Sequence, residues 1–412
     1  MDTSLDNNRW IMPEGIEELL PNQVARLEAL RRDILDMYRL WGYQLVSTPL
    51  IEFIESLQPG GSKDLDSHTF KIIDSMSGRM LGVRADMTPQ VARMDSRLLN
   101  TAQPVRLCYL DTVLRAYPDG LGGTREPLQL GAELYGHGGI ESDIEVLELM
   151  LETIQLIGPE DYALDLGHVG IYRGLAQQAG LNNEQEQLLF DALQRKAIPE
   201  INVLLNSWKI DNKLHTMLSS LANLNGGVDV LDQARAILNS SSNSVKQALT
   251  ELEEVAQQLM QTRPEVKLHF DLSELRGYDY QSGIVFAVFV QGYGYEVARG
   301  GRYDNIAKVF GRSRPATGFS IDLKILANLA PDPGLLTSKK PIFAPCEVPG
   351  EDAQGQKESL QDMVLALRKM GEQVICELPG QEGDAASMGC DRILVNEEGE
   401  WEIKPLNNRF NS

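Results

Sequence analysis

Strand-like patterning in this chain breaks off near Ile171 and resumes only at Lys267. Between these points helical periodicity and polar faces dominate. The stretch is punctuated at Asn182-Asn183-Glu184 and Ser240-Ser241-Ser242-Asn243, residue types that start helices or interrupt them. Strands on both sides of a helical block predict a sheet-based α+β core at 1–170 and 262–330, with a helical insertion at 171–261. A linker at Ala330-Pro331-Asp332-Pro333-Gly334 then predicts a separate small α/β domain at 338–406.

Within the core, Leu27, Leu30, Ile34, Tyr38 and Trp41 recur at steps of three or four. They predict an amphipathic helix after Pro21 that stops at Gly42. Tyr43 to Ile54 reads as extended around Pro49. Thr69 to Ile73 and Met80 to Val83 flank the turn-rich Asp74-Ser75-Met76-Ser77-Gly78 and predict a hairpin. Thr88-Pro89 opens a helix to about Leu99, with Pro in the first turn where its missing N–H costs nothing. Val105 to Leu114 and Leu128 to Tyr135 predict antiparallel strands joined by the Gly-rich Asp119 to Gly123. Asp143 to Leu156 reads as a helix and Tyr162 to Leu166 as a strand. Further strands are expected at Lys267 to Leu272, Ile284 to Val290 and Tyr293 to Ala298, with Gly300-Gly301 as a turn. In the last domain Pro341 to Pro345, Ser359 to Met370, Gln373 to Glu377 and Arg392 to Val395 predict strand, helix, strand, strand.

The chain has 412 residues, 42% of them hydrophobic, enough for real cores. Its 59 acidic against 38 basic residues leave a net charge of -21. A nucleic-acid grip needs Lys and Arg against phosphates, so this field has the wrong sign for RNA. The four cysteines (Cys108, Cys346, Cys376, Cys390) form no CxxC pair and predict mostly buried free thiols. The five histidines are scattered without metal-ligand spacing, so neither metal nor cofactor is expected. The acidic start lacks an apolar signal region, and no apolar run approaches the roughly 20 residues that cross a bilayer. A soluble, cytoplasmic protein without membrane contact is expected.

Three segments offer the groups that a free amino acid requires: acceptors for its ammonium, donors for its carboxylate, and a shaped polar pocket for its side chain. The first is Arg84-Ala85-Asp86-Met87-Thr88-Pro89-Gln90. The second is Arg115 followed by Arg125 to Glu133. Gln129 and Glu133 are four apart, so on a strand both face one side, with Gly131 between them leaving room for a ligand. The third is Leu275-Arg276-Gly277-Tyr278-Asp279-Tyr280-Gln281 with Arg299-Gly300-Gly301-Arg302-Tyr303-Asp304. Taken singly, each residue has a plainer reading. Asp86 or Glu133 alone is a solvated or salt-bridged carboxylate, Arg276 a structural ion pair, and His137 a neutral loop residue.

Taken together and in order, these segments resemble the class II core of the histidyl-tRNA synthetase family from about Pro13 to Leu326. The resemblance implies an antiparallel sheet flanked by helices. It implies that Asp86, Thr88 and Gln129 hold the ammonium group of histidine, with Asp86 where the enzymes have Glu. Glu133, with Tyr303 and Tyr280, faces the imidazole. Arg115 meets the carboxylate, and Arg276 is the arginine that assists activation in the enzymes.

The departures fall on the nucleotide side. Tyr117 stands where the enzymes have a Glu, Pro127 where an aromatic stacks on adenine, and Ile325 where an Arg grips the γ-phosphate. Losing a charged clamp on a phosphate costs several kcal/mol of transition-state stabilisation. Gln281 also replaces the second Tyr of the Arg-Gly-x-Asp-Tyr-Tyr run.

This pattern resembles the family of regulatory subunits of ATP phosphoribosyltransferase, which have no catalytic residues of their own and serve the first step of histidine biosynthesis. That resemblance implies L-histidine as regulatory ligand and a short-form ATP phosphoribosyltransferase catalytic subunit as partner. It also implies a two-fold dimer through Gln23 to Ile54 and a hetero-octamer of four plus four. A working histidyl-tRNA synthetase and a scaffold that binds no amino acid are the competing readings.

Overall fold

The computed structural model describes residues 11–57, 63–118, 123–159, 161–274, 277–278, 280–330, 340–346, 353–397 and 399–406. Arg276, most of the Gly-rich loop (119–122), the linker beyond Ala330 and the tail from 407 lie outside them. The chain divides into two compact units, Met1–Pro331 and Asp332–Ser412.

The strands of the first unit are β1 (Gln44–Leu45), β2 (Ile51–Phe53), β3 (Lys71–Ile73), β4 (Met80–Val83), β5 (Val105–Thr112), β6 (Leu128–Tyr135), β7 (Tyr162–His168), β8 (Asn225–Gly226), β9 (Lys267–Asp271), β10 (Ile284–Val290), β11 (Glu296–Arg302) and β12 (Ala316–Asp322). Nine of them form one sheet in the order β1-β5-β6-β12-β11-β10-β7-β9-β8. A small satellite sheet runs β2-β4-β3. The centre of the large sheet, β5 through β7, is antiparallel throughout.

Side chains alternate across this sheet. On β5, Cys108 and Leu110 join the main apolar core, while Leu107 and Tyr109 join a smaller cluster on the opposite face with Met87, Val91, Tyr135 and Tyr303. The main core is closed by the helix Pro21–Leu40, which buries Leu27, Leu30, Ile34 and Tyr38, and by the helix Ile140–Ile157. The latter starts with Glu141 and Asp143 in its first turn, favourable against the helix dipole, and stops at left-handed Gly158. Asp143 is buried and pairs with Arg302 at 2.7 Å, whose guanidinium also donates to the Gly139 carbonyl (2.9 Å). This knot ties the end of β11 to the helix start.

Residues Val169 to Thr262 are helical apart from β8 and short turns. His168 caps the first of these helices, accepting the Gly170 N–H on Nδ1 (3.0 Å), and Asn182 with Gln185 forms a capping box on the next. Their apolar faces, including Leu189, Leu193, Leu218 and Leu252, belong to the same continuous core as the sheet.

Three expectations need correction. The strand placed at Tyr293 to Ala298 begins only at Glu296 and runs to Arg302, so Gly300 and Gly301 lie inside β11 and form no turn. Gly301 pairs with Val285 on one side and Gly318 on the other, and pairing on both sides holds the glycines extended. The helix opened at Thr88 is α-helical only to Arg93; Met94–Leu99 is a π-helical turn ending at left-handed Asn100. Within that wide turn Asp95 is fully buried against Arg314 (3.1 Å), which also takes the Thr101 carbonyl (2.9 Å). The third correction concerns the thiols: Cys108 and Cys390 are buried, but Cys376 is exposed.

The second unit has β13 (Ile342–Ala344), β14 (Val374–Cys376), β15 (Arg392–Glu397) and β16 (Glu400–Pro405) in the order β14-β13-β15-β16, with the helix Ala353–Lys369 packed against β14 and β16. β13 runs parallel to both neighbours, and β15–β16 is a hairpin. β16 was not expected from sequence.

Candidate ligand-binding site

Glu133 projects from β6 onto the sheet face opposite the main core, where it is about 1% exposed. Tyr109 from β5 donates to its Oε1 (3.0 Å), and Tyr303, just beyond β11, donates to its Oε2. Tyr280 stacks on Tyr303 with ring centroids 5.0 Å apart. Burial pushes the Glu133 carboxyl up to about 8, outweighing the hydrogen bonds from Tyr303 and Tyr109 that oppose it. Burial also pushes the phenols of Tyr109, Tyr280 and Tyr303 well above their ordinary range, so they stay protonated donors.

Two glycines make this arrangement possible. A Cβ on Gly131 would stand 2.3 Å from the Tyr109 ring, and one on Gly318 would stand 1.6 Å from Glu133 Oε2. Gly131 therefore accommodates Tyr109; the expectation that it clears space for a ligand is corrected.

The loop ahead of the helix Thr88–Arg93 is locked onto β6. The Gln129 side chain accepts the Met87 N–H (2.9 Å) and donates to Asp86 Oδ1 (3.1 Å), and that oxygen also accepts the Thr88 N–H (2.8 Å). Thr88 Oγ1 lies 3.1 Å from the Tyr109 hydroxyl. Asp86, Thr88, Arg115, Glu133, Tyr280 and Tyr303 all line one cavity of about 360 Å³. Gln129 does not line it: its side chain is bonded to Asp86, and it lines an adjoining cavity. The Tyr280 hydroxyl and Gln281 Oε1 are buried without a hydrogen-bond partner, and both residues line the same cavity. Buried polar atoms of this kind ask for a polar partner.

Sequence reasoning missed Tyr109, although its signal was present. Leu107 and Tyr109 alternate with Cys108 and Leu110, which sends the tyrosine to the Glu133 side of the sheet. His137, expected to be a structural loop residue without a partner, does have one: its Nδ1 sits 3.3 Å from the Ser142 hydroxyl at the start of the helix Ile140–Ile157.

A second cavity of about 540 Å³ adjoins the first, and Arg115, Arg299 and Ser320 line both. Pro127 and Ile325 stand in this second cavity, whereas Tyr117 is 64% exposed and lines neither. Its charged lining is balanced: Arg115, Arg299 and Lys324 against Glu17, Glu296 and Asp322. Burial pushes the Asp322 carboxyl up to about 6, against the backbone N–H groups of Lys324 (3.0 Å) and Leu128 (3.2 Å). Among the described residues no cluster of His, Cys, Asp and Glu could hold a metal ion, and no helix is long and apolar enough to cross a membrane.

A mixed sheet with this central antiparallel run and a cavity on the face opposite the main core has the fold of a class II aminoacyl-tRNA synthetase-like protein. Residues 15–326 match the histidyl-tRNA synthetase family model, and residues 339–404 match that of the ATP phosphoribosyltransferase subunit HisZ C-terminal domain. The chain belongs to the family of ATP phosphoribosyltransferase regulatory subunits. It is 52% identical to the "ATP phosphoribosyltransferase regulatory subunit" of Thioalkalivibrio sulfidiphilus, over 97% of this chain and all of that one. It is 50% identical to the protein of the same description from Alkalilimnicola ehrlichii, over 97% and 98%. A solved ATP phosphoribosyltransferase regulatory subunit/histidyl-tRNA synthetase from Bacillus halodurans C superposes with a TM-score of 0.80 at 26% identity, covering 92% of this chain and 95% of that one. The histidyl-tRNA synthetase of Nostoc sp. PCC 7120 shares the fold, with a TM-score of 0.75 at 19% identity over 94% and 91%.

Proposed function

We propose that this chain is a non-catalytic regulatory subunit in the first step of L-histidine biosynthesis, working in the cytoplasm with a short-form ATP phosphoribosyltransferase catalytic subunit. Full-length kinship at about half identity supports the regulatory role. The observation that carries the ligand reading is the contrast between adjoining cavities. Asp86, Thr88, Arg115, Glu133, Tyr280 and Tyr303 converge in one, while the other is lined by Pro127 and Ile325, where the resemblance to the synthetases implies an adenine-stacking ring and a phosphate-gripping arginine.

In this reading L-histidine fills the first cavity. Its ammonium faces Asp86, Thr88 and Gln129; its carboxylate faces Arg115, with Arg276 assisting; its imidazole meets Glu133, Tyr303 and Tyr280. The second cavity is a degenerate nucleotide site. Histidine acts by linkage, favouring one state of the assembly by its differential affinity, with a coupling of about 1–3 kcal/mol. The assembly is a four-plus-four octamer built on dimers formed through Gln23 to Ile54.

Mixing the chain with a short-form catalytic subunit tests this. ATP phosphoribosyltransferase activity should rise on mixing and fall when histidine is added. Histidine-dependent exchange of pyrophosphate into ATP by the chain alone would instead make it a working synthetase. Activation without any histidine response would reduce it to a scaffold.

A further inference from the structure

Glu133 is the end of a chain of hydroxyl groups that begins at the cavity wall. Thr88 Oγ1 lies 3.1 Å from the Tyr109 hydroxyl, which lies 3.0 Å from Glu133 Oε1. Such a chain has two settings. With the carboxylate ionised, Thr88 donates to Tyr109 and Tyr109 donates to Glu133, which leaves Thr88 Oγ1 a pure acceptor. With the carboxyl protonated, the acid hydrogen can reverse the chain and turn the Thr88 hydrogen outward.

Hydroxyl donors around Glu133 favour its ionised form but do not outweigh burial and the like charge of Asp86. Tyr135 on the same strand, Tyr109 on β5, Tyr280 ahead of β10 and Tyr303 just after β11 are neutral; Asp86 ahead of the helix Thr88–Arg93 is a like charge. Arg115, Arg299, His68 and Glu274 line the cavity around them.

An ammonium group has three N–H donors and no acceptor. Seated at Thr88, it favours the ionised setting, which leaves both lone pairs of the threonine oxygen free and turns no hydrogen toward the ligand. A side-chain N–H of the same ligand, aimed at Glu133, selects it again. We propose that an amino acid with an N–H donor on its side chain expels the proton of Glu133 to solvent as it fills this pocket, coupling occupancy to pH. The inference rests on the amino-acid reading given above. The Glu133 O–H bond breaks, the pair stays on the carboxylate, the proton goes to buffer, and the ligand keeps its own hydrogens. At neutral pH that proton is present to be lost, because burial holds the carboxyl up at about 8.

Calorimetric titration of the full chain with L-histidine at pH 7, in phosphate and in Tris, counts the protons released. The expected result is close to one per site in the native chain, and a small remainder in Glu133→Gln. Equal heats in the two buffers, with binding intact, overturn the inference and leave the amino-acid site standing. Absence of binding in the native chain overturns both. Should the variant not fold, the native dissociation constant alone decides: it tightens about fivefold between pH 7 and 8, following the ionised fraction of a group titrating near 8. A flat profile there is fatal.

Discussion

A carboxyl group stripped of water keeps its proton unless other dipoles replace the water. Glu133 has two hydroxyl donors, and they do not suffice. Its folded-state value of about 8 lies above the ordinary 4.5, so the folded protein binds more protons than the unfolded chain between those limits. Stability from this group is therefore complete below about pH 4.5 and drains away as pH climbs to 8. Glu133→Gln removes the ionisation without removing the shape. Urea unfolding should show the variant gaining on the native protein by roughly 1–3 kcal/mol between pH 6 and 8.5 with no ligand present. Parallel pH profiles for the two proteins would count against a buried, titrating carboxyl. At this scale the sequence was informative where spacing alone sets direction: Gln129 and Glu133, four apart, do point to one side of β6. It was silent on Tyr109 as the partner of Glu133, because that contact depends on the register of β5 against β6, where Tyr109 meets Gly131.

Elements are joined by a few buried polar knots, and the Arg302–Asp143 pair is one whose removal can be read cleanly. Both side chains are at most 9% exposed. Breaking a buried pair strands a charge, whereas replacing both partners by apolar groups often does not. Asp143→Ala should cost about 3–5 kcal/mol in urea unfolding, and the double change Arg302→Met with Asp143→Leu markedly less. Equal losses in both would mean that the pair supplies net stability of its own. Individual strands were legible because β-branched and aromatic runs such as Ile284 to Val290 carry their own preference for strand, whereas their assembly into a class II-like antiparallel sheet came from the family resemblance. Boundaries were less so. β11 starts late because the irregular stretch at Gln291 to Tyr295 takes up the reversal and its pairing continues to Arg302. β16 escaped because its apolar residues Trp401 and Ile403 alternate with Glu400, Glu402 and Lys404, a period-two signal masked by charge.

For the molecule as a whole, the helical stretch from Val169 to Thr262 shares one core with the sheet, while the second unit has apolar clusters of its own between Ile342 and Leu406. Every described residue lining either cavity lies between Gly15 and Leu329. A chain ending at Ala330 keeps all of these residues and should fold and bind L-histidine with a dissociation constant within about twofold of the full chain. Loss of binding by calorimetry would give the second unit a part in the pocket. The sharing of one core was not legible, since helix periodicity tells which side of a helix is apolar but not what that side rests on. Gly131 and Gly318 are bare because the protein's own atoms, a phenol ring and a carboxylate, fill the room beside them. Their inheritance is thus enforced by assembly of the fold, whether or not any metabolite ever visits. A chain with nothing to bind would carry the same hollow for as long as it had to fold, open to recruitment by a small molecule.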